Sequence, residues 1–218
     1  MCGIVGTYNL RDDATPPIEG LADAMDRMEL RGPDGEGVFE GPGVAFGHRR
    51  LAVIDIEGGP QPWVDADTGV VLVFNGELYN HDALRDVLAK KGHPFRSCSD
   101  TEVLCRAFVE WGPACVDQLV GMFAFTVWDP REPGVFVARD RLGVKPLYWF
   151  LIGERFSFAS SVSALRALPG VSGSLDPHAV SHYLTTVRTT LGERTLLRDV
   201  KTLEPGHAMW IRRGRPLK

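Results

Sequence analysis

A cysteine stands second in the chain, within Met1-Cys2-Gly3-Ile4-Val5-Gly6. Methionine before a small residue is commonly removed, and its loss would make Cys2 the N-terminal residue. Thiol and α-amine would then share one residue. An α-amine titrates near pH 7.7–8.0 and a thiol near about 8.5. A partly neutral amine can therefore take the thiol proton, directly or through a water. Nucleophile and base need no second residue, which is the logic of N-terminal nucleophiles.

Other chemistry-bearing residues carry less. His178 and His182 stand four apart on a predicted helix, but Ala179 occupies the place where an H-E-x-x-H zinc motif needs glutamate. They read as two helix-face histidines, and no metal site is expected. No Walker phosphate loop occurs. Ser172-Gly173-Ser174-Leu175-Asp176-Pro177 resembles the S-G-G-x-D-S loop of ATP pyrophosphatases, but Ser174 and Pro177 replace two of its residues. It reads as a helix-capping turn. Cys98, Cys105 and Cys115 form no C-x-x-C pair and read as ordinary buried thiols. Asn75-Gly76, on residue types alone, reads first as a type I′ hairpin turn.

The elements that must position these residues are mixed. Residues 3–9 read as a strand, 17–30 as an amphipathic helix, and 36–41, 43–48 and 51–55 as short strands. Val70 to Phe74 is an unbroken apolar run, expected as a buried strand that Asn75-Gly76 ends. A helix over 81–91 is expected between Asn80 as N-cap and Gly92 as its terminator. Ser99-Asp100-Thr101-Glu102 has the form of a capping box opening a helix over 100–111, which Gly112-Pro113 stops. Further strands are expected at 122–128, 135–139, 147–150, 155–159 and 207–212, and a helix from Asp176-Pro177 to 185. Residues 186–206 read as an extended connection. Hairpin-length gaps between strands imply largely antiparallel sheet with helices packed on it, an α+β class.

The chain has 218 residues, 44% of them hydrophobic and 24% charged, enough apolar surface to fold as one large domain or two small ones. No apolar stretch is long enough for a membrane helix, and no secretory signal opens the chain. A net charge of −4 argues against a general nucleic-acid partner. Arg212, Arg213, Arg215 and Lys218 form a basic end, read as solvated. A cytoplasmic location with free thiols is expected.

Taken in order, MCGIVG at 1–6, RGPDGEG at 31–37, GHRRLAVID at 47–55, NGELYN at 75–80, SDTEV at 99–103, GMFAF at 121–125 and RDRLGVKPLY at 139–148 carry a further implication. As a set they resemble the glutaminase domain of asparagine synthetase, a class II glutamine amidotransferase. The resemblance runs to about residue 212, leaving 213–218 as a basic tail toward an absent synthetase domain. It implies a four-layer αββα sandwich of the N-terminal-nucleophile hydrolase type. It implies hydrolysis of L-glutamine to glutamate and ammonia, with Cys2 as nucleophile and Asn75 and Gly76 as the oxyanion hole. Arg50 would pair with the substrate α-carboxylate, and Glu77 and Asp100 would hold its α-ammonium. Arg49 and His48 would be structural.

The same resemblance implies no cofactor in this chain, and Mg-ATP only for a synthetase domain or a separate synthetase chain. Aspartate is the default ammonia acceptor, with a natural-product carboxylate as the alternative; a homodimer is compatible with the pattern. A silent scaffold domain is a third reading, but it would have no need for Cys2, Arg50, Asn75, Gly76, Glu77 and Asp100 together. One departure stands out. Where the family commonly reads FASE-x-KAL, this chain has Ser161 and Ser163 in place of the Glu and Lys. That puts the usual docking or ammonia-channel arrangement in question and leaves the glutaminase chemistry untouched.

Overall fold

Val71 and Leu72, Val73 and Phe74 point to opposite sides of one strand, and all four are buried. A strand apolar on both faces must lie between two layers. The structure, a computed structural model described over residues 1–11, 18–53 and 59–213, supplies them. Leu72 and Phe74 pack with Phe125, Leu84, Leu88, Leu104 and Phe108, beneath helices. Val71 and Val73 pack with Ile4, Phe46, Phe156 and Phe158, against a second sheet.

The sheet holding this strand contains β4 (Trp63–Val64), β5 (Val71–Leu78), β6 (Gly121–Asp129), β7 (Gly134–Arg139) and β13 (Ala208–Arg212), in the order β13-β7-β6-β5-β4. The other contains β1 (Gly3–Asn9), β2 (Gly35–Gly41), β3 (Val44–Arg50), β8 (Tyr148–Ile152), β9 (Arg155–Ala159), β10 (Thr190–Leu191), β11 (Arg194–Thr195) and β12 (Lys201–Thr202). Its order is β10-β11-β12-β8-β9-β1-β3-β2. All strand pairs in both sheets are antiparallel.

Helices α2 (His81–Lys90) and α3 (Asp100–Trp111) cover the first sheet. Leu84 and Leu88, one turn apart, form the buried stripe of α2. On the far side α1 (Leu21–Asp26) and α4 (Val162–Leu165) place Leu21, Met25, Ala164 and Leu165 against Val5, Ala45 and Phe150. Helix, sheet, sheet, helix is the αββα sandwich that the motif set implies. Helix α5 (Pro177–Thr186) begins where Asp176 Oδ1 accepts from the N–H groups of His178 and Ala179, so the S-G-S-L-D-P run is a capping turn.

Several local expectations differ. The helix expected over 17–30 is confined to α1 and a following 3-10 turn at Glu29–Arg31. Residue 17 lies outside the described residues. Gly20 is left-handed at φ 80°, which blocks upstream continuation, and a Cβ there would meet the Ala167 carbonyl oxygen at 2.3 Å. No strand forms at 51–53, and 54 and 55 lie outside the described residues. Asn80 stands at the N-cap position of α2 as expected, but its side chain makes no capping bond; its amide instead donates to Gln118 O and accepts from Val120 N–H. Only half of the capping box exists. Ser99 Oγ accepts from Thr101 N–H, while Glu102 turns to the N–H groups of Arg96 and Ser97. Residues 186–206 are not merely extended but contain β10, β11 and β12. Cys105 and Cys115 are buried, but Cys98 is exposed.

Candidate active site

Strand pairing brings the N-terminus to the mouth of a cleft between the sheets. β1 and β3 place Gly3 opposite Arg49, so the preceding Cys2 lies beside Arg50 and Leu51. The Cys2 thiol donates to Leu51 O at 3.6 Å and accepts from Leu51 N–H at 3.4 Å. Arg31 Nε donates to the Cys2 carbonyl at 3.3 Å. Sulfur and backbone are thus both held at the start of the strand.

The cleft is about 240 Å³ and is lined by Cys2, Arg50, Asn75, Gly76, Glu77 and Asp100 together, all six residues singled out from the sequence. They come from three places: the meeting of β1 and β3, the middle of β5, and the first residue of α3. Met1 also lines it and is half exposed.

Asn75-Gly76 is not a hairpin turn. Both residues lie inside β5, where Asn75 pairs with Ala124 and Gly76 with Phe123 of β6. A Cβ on residue 76 would stand 2.4 Å from Met122 O and 2.8 Å from the Phe123 Cα, so sheet packing there demands glycine. Asn75 is 1% exposed, and neither its Oδ1 nor its Nδ2 has a hydrogen-bond partner among the described residues. An unsatisfied buried amide costs about 1–3 kcal/mol per group, which a ligand in the cleft can offset.

The outer edge of β5 explains what Gly76 offers. Phe74 N–H donates to Gln61 Oε1 at 2.6 Å, and Leu78 N–H donates to Asp100 Oδ2 at 3.1 Å. Both point away from β6. Backbone direction repeats every second residue along a strand, so the Gly76 N–H points to the same side, between those two capped positions.

Asp100 is 6% exposed, and burial raises its pKa above the ordinary carboxylate range; neighbouring Glu77 raises it further, against the Leu78 hydrogen bond. A cationic ligand group would relieve that penalty. His48, fully buried, approaches Phe74 O with Nε2 at 3.3 Å, and burial pushes its pKa down to about 4. It is a neutral structural group at neutral pH. Arg49 is structural too, held by Asp26, by Glu36 at 2.9 Å and by Met25 O at 3.3 Å. Ser161, one of the departures, caps α4 through Oγ and Ala164 N–H at 3.2 Å.

Two lining residues escape a reading of residue types: Gln61 and Lys145. Lys145 lies within the 139–148 motif, and its N–H is fixed by Asp140 Oδ2 at 3.0 Å. That buried aspartate also accepts from Phe123, Leu142 and Val144, which folds the loop into the cleft wall. Gln61 sits in a Gly- and Pro-rich stretch with no periodic signal. Among the described residues no group of three or more His, Cys, Asp or Glu side chains is placed to hold a metal, and no helix is long and apolar enough to cross a membrane.

Two antiparallel sheets face to face, helices outside, and a cysteine opening β1, an interior strand of its sheet, at a cleft: this is the fold of the N-terminal-nucleophile hydrolases. A glutamine phosphoribosylpyrophosphate amidotransferase of Bacillus subtilis shares it, with a TM-score of 0.68 at 23% identity over all of this chain and 48% of that one. The allosteric regulatory enzyme of purine biosynthesis does so with a TM-score of 0.69 at 22% identity, over 100% of this chain and 48% of that one.

The chain belongs to the glutamine amidotransferase domain family, whose pattern matches residues 1–217. It is similar to glutamine-hydrolysing asparagine synthetase 3 of Bacillus subtilis, 38% identical over 96% of this chain and 34% of that protein. With asparagine synthetase 3 of Arabidopsis thaliana it is 39% identical over 76% of this chain and 28% of that protein. The chain therefore spans about a third of the length of such relatives.

Proposed function

We propose that this domain hydrolyses L-glutamine to L-glutamate and ammonia through a γ-glutamyl thioester on Cys2. The observation that carries the reading is the cleft itself. A thiol, an arginine, two carboxylates and a buried amide without a partner among the described residues converge in a space of about 240 Å³, the scale of one small amino acid. Removal of Met1 frees the Cys2 amine, which takes the thiol proton. The thiolate attacks the substrate side-chain carbonyl carbon. The Asn75 amide and the Gly76 N–H donate to the resulting oxyanion. As the C–N bond breaks, the ammonium form of the Cys2 amine returns its proton to the leaving nitrogen. Water then attacks the thioester, gives glutamate and regenerates the thiol. Arg50 clamps the α-carboxylate with its planar fork; Glu77 and Asp100 hold the α-ammonium.

In the proposed whole system the ammonia passes to a synthetase domain or chain that activates a carboxylate with Mg-ATP. The asparagine synthetases among its relatives make aspartate the first acceptor to test. The test is a product assay by mass spectrometry with amide-labelled glutamine, aspartate and Mg-ATP. Purified chain with Met1 removed is expected to release glutamate and labelled ammonia and to form no asparagine until a synthetase partner is added. Loss of activity is expected in Cys2→Ala and in a protein with a verified N-terminal block. Normal turnover by either would sink the reading.

A further inference from the structure

We infer that Gln61 is a positioning residue for the oxyanion hole, acting through the backbone of β5. β4 covers the outer edge of β5 only at Val71 and Leu72. Among the described residues no further strand pairs with this edge, and Phe74, immediately before Asn75, must find other partners for its buried N–H and C=O. Gln61 supplies both. Its Oε1 accepts from Phe74 N–H at 2.6 Å, and its Nε2 donates to Phe74 O at 3.1 Å. A primary amide carries carbonyl and N–H side by side, as a neighbouring peptide would. One side chain thus continues the ladder that β4 leaves unfinished.

The clamp has a rigid seat. Gln61 is 9% exposed, and its backbone carbonyl oxygen lies so close to Gly37 of β2 that a Cβ there would stand 2.2 Å away. Its Nε2 also reaches Thr101 Oγ1 at 3.4 Å, next to Asp100. His48 Nε2 meets Phe74 O as well, but Phe74 N–H goes to Gln61. Fixing both groups of Phe74 fixes the peptide planes on either side of its Cα, the second of which carries the Asn75 nitrogen, and so sets the direction in which the Asn75 side chain and the Gly76 N–H follow. An oxyanion hole depends on donors held in place before charge develops. Gln61 touches no reacting atom in this scheme.

The inference rests on the reading of Asn75 and Gly76 as the oxyanion hole, and the test separates the two. Glutamine hydrolysis is measured for Gln61→Ala, Asn75→Ala and the double variant, with thermal unfolding to verify folding. Gln61→Ala is expected to lower kcat at least about tenfold while KM changes less than about threefold, because the head-group clamp is left in place. In the Asn75→Ala background the same change is expected to cost clearly less than in the otherwise unaltered protein, since the part of its effect that passes through the Asn75 amide is already lost and only the part through the Gly76 N–H remains. An unchanged kcat in Gln61→Ala, or full multiplicative losses in the double variant, overturns the inference. If Gln61→Ala fails to fold, Gln61→Glu carries the test: it keeps the acceptor for Phe74 N–H, removes the donor to Phe74 O, and is held to the same expectations. Full activity in Asn75→Ala would overturn the oxyanion reading itself, and the inference with it.

Discussion

Asp100 Oδ2 accepts from Leu78 N–H at 3.1 Å, so the first residue of α3 is tied to the end of β5 and two candidate substrate contacts, Glu77 and Asp100, are held in one wall. The hydrogen bond stabilises the carboxylate, but burial outweighs it and the pKa is raised.

That sign sets a pH dependence for binding. A carboxyl group with a raised folded pKa favours its neutral form in the empty cleft. Its contribution to stability is therefore present below the ordinary carboxylate value of about 3.9 and is lost as pH rises through the raised one. The substrate ammonium needs the ionised form. Glutamine affinity is expected to rise with pH through the raised pKa and then level off. Asp100→Asn is expected to bind at least about tenfold more weakly and to show no such rise. Calorimetric titration across that range, with the inactive Cys2→Ala protein as host, checks both.

His48 gives a second pH signature, this time in stability. Burial lowers its pKa from 6.5 to about 4. The folded protein then holds fewer protons than the unfolded chain between these values. Stability is fully present above pH 6.5 and falls as pH drops toward about 4, by about 3 kcal/mol for an ideal two-state case. Urea unfolding at a series of pH values is expected to show this slope, and His48→Gln is expected to flatten it. An equal slope in the variant would assign the effect elsewhere.

Gly76→Ala places a methyl group against Met122 O and the Phe123 Cα, both backbone atoms of β6 that cannot swing aside. A loss of about 1–3 kcal/mol of stability is expected, together with a large fall in glutamine hydrolysis. A folded variant with normal stability in thermal unfolding would mean that β5 and β6 separate there without cost.

The four cysteines are expected to separate by chemistry. Cys105 and Cys115 are buried, and burial pushes the Cys115 pKa up to about 12 and that of Cys105 up as well. Cys98 is exposed. A general alkylating agent is expected to modify Cys98 and Cys2 in the folded protein. A diazo-ketone analogue of glutamine is expected to modify Cys2 alone. Peptide mapping that finds the analogue on Cys98 would mean that reactivity follows exposure and not recognition by the cleft.

What the sequence disclosed depended on how local each signal was. The apolar run before Asn75 and the Ser99 cap of α3 are local, and both mark real elements, although β5 runs on through Asn75-Gly76 to Leu78 where the sequence suggests an end. Asn75-Gly76 misleads because pairing with Phe123 and Ala124, far along the chain, overrides the turn tendency of the dipeptide. Asn80 marks the start of α2 correctly, but the approach of Gln118 and Val120 gives its amide partners other than the helix end. Cys2 stood out by its own chemistry at the chain start, whereas Arg50, Asn75, Gly76, Glu77 and Asp100 were recognisable only through the ordered motif set; all six line one cleft. Gln61 was illegible, because its partner Phe74 is defined by where β4 stops and not by any pattern around residue 61.

The central claim is covalent, so the most direct measurement looks for the covalent species. Chain with a verified free Cys2 amine is mixed with excess glutamine, quenched in acid during turnover, and mapped by peptide mass spectrometry. The account predicts a γ-glutamyl adduct on the Cys2 peptide, absent from Cys2→Ala, that disappears once glutamine is exhausted. Glutamine turned over with the adduct on another residue, or at an undiminished rate by Cys2→Ala, would contradict it.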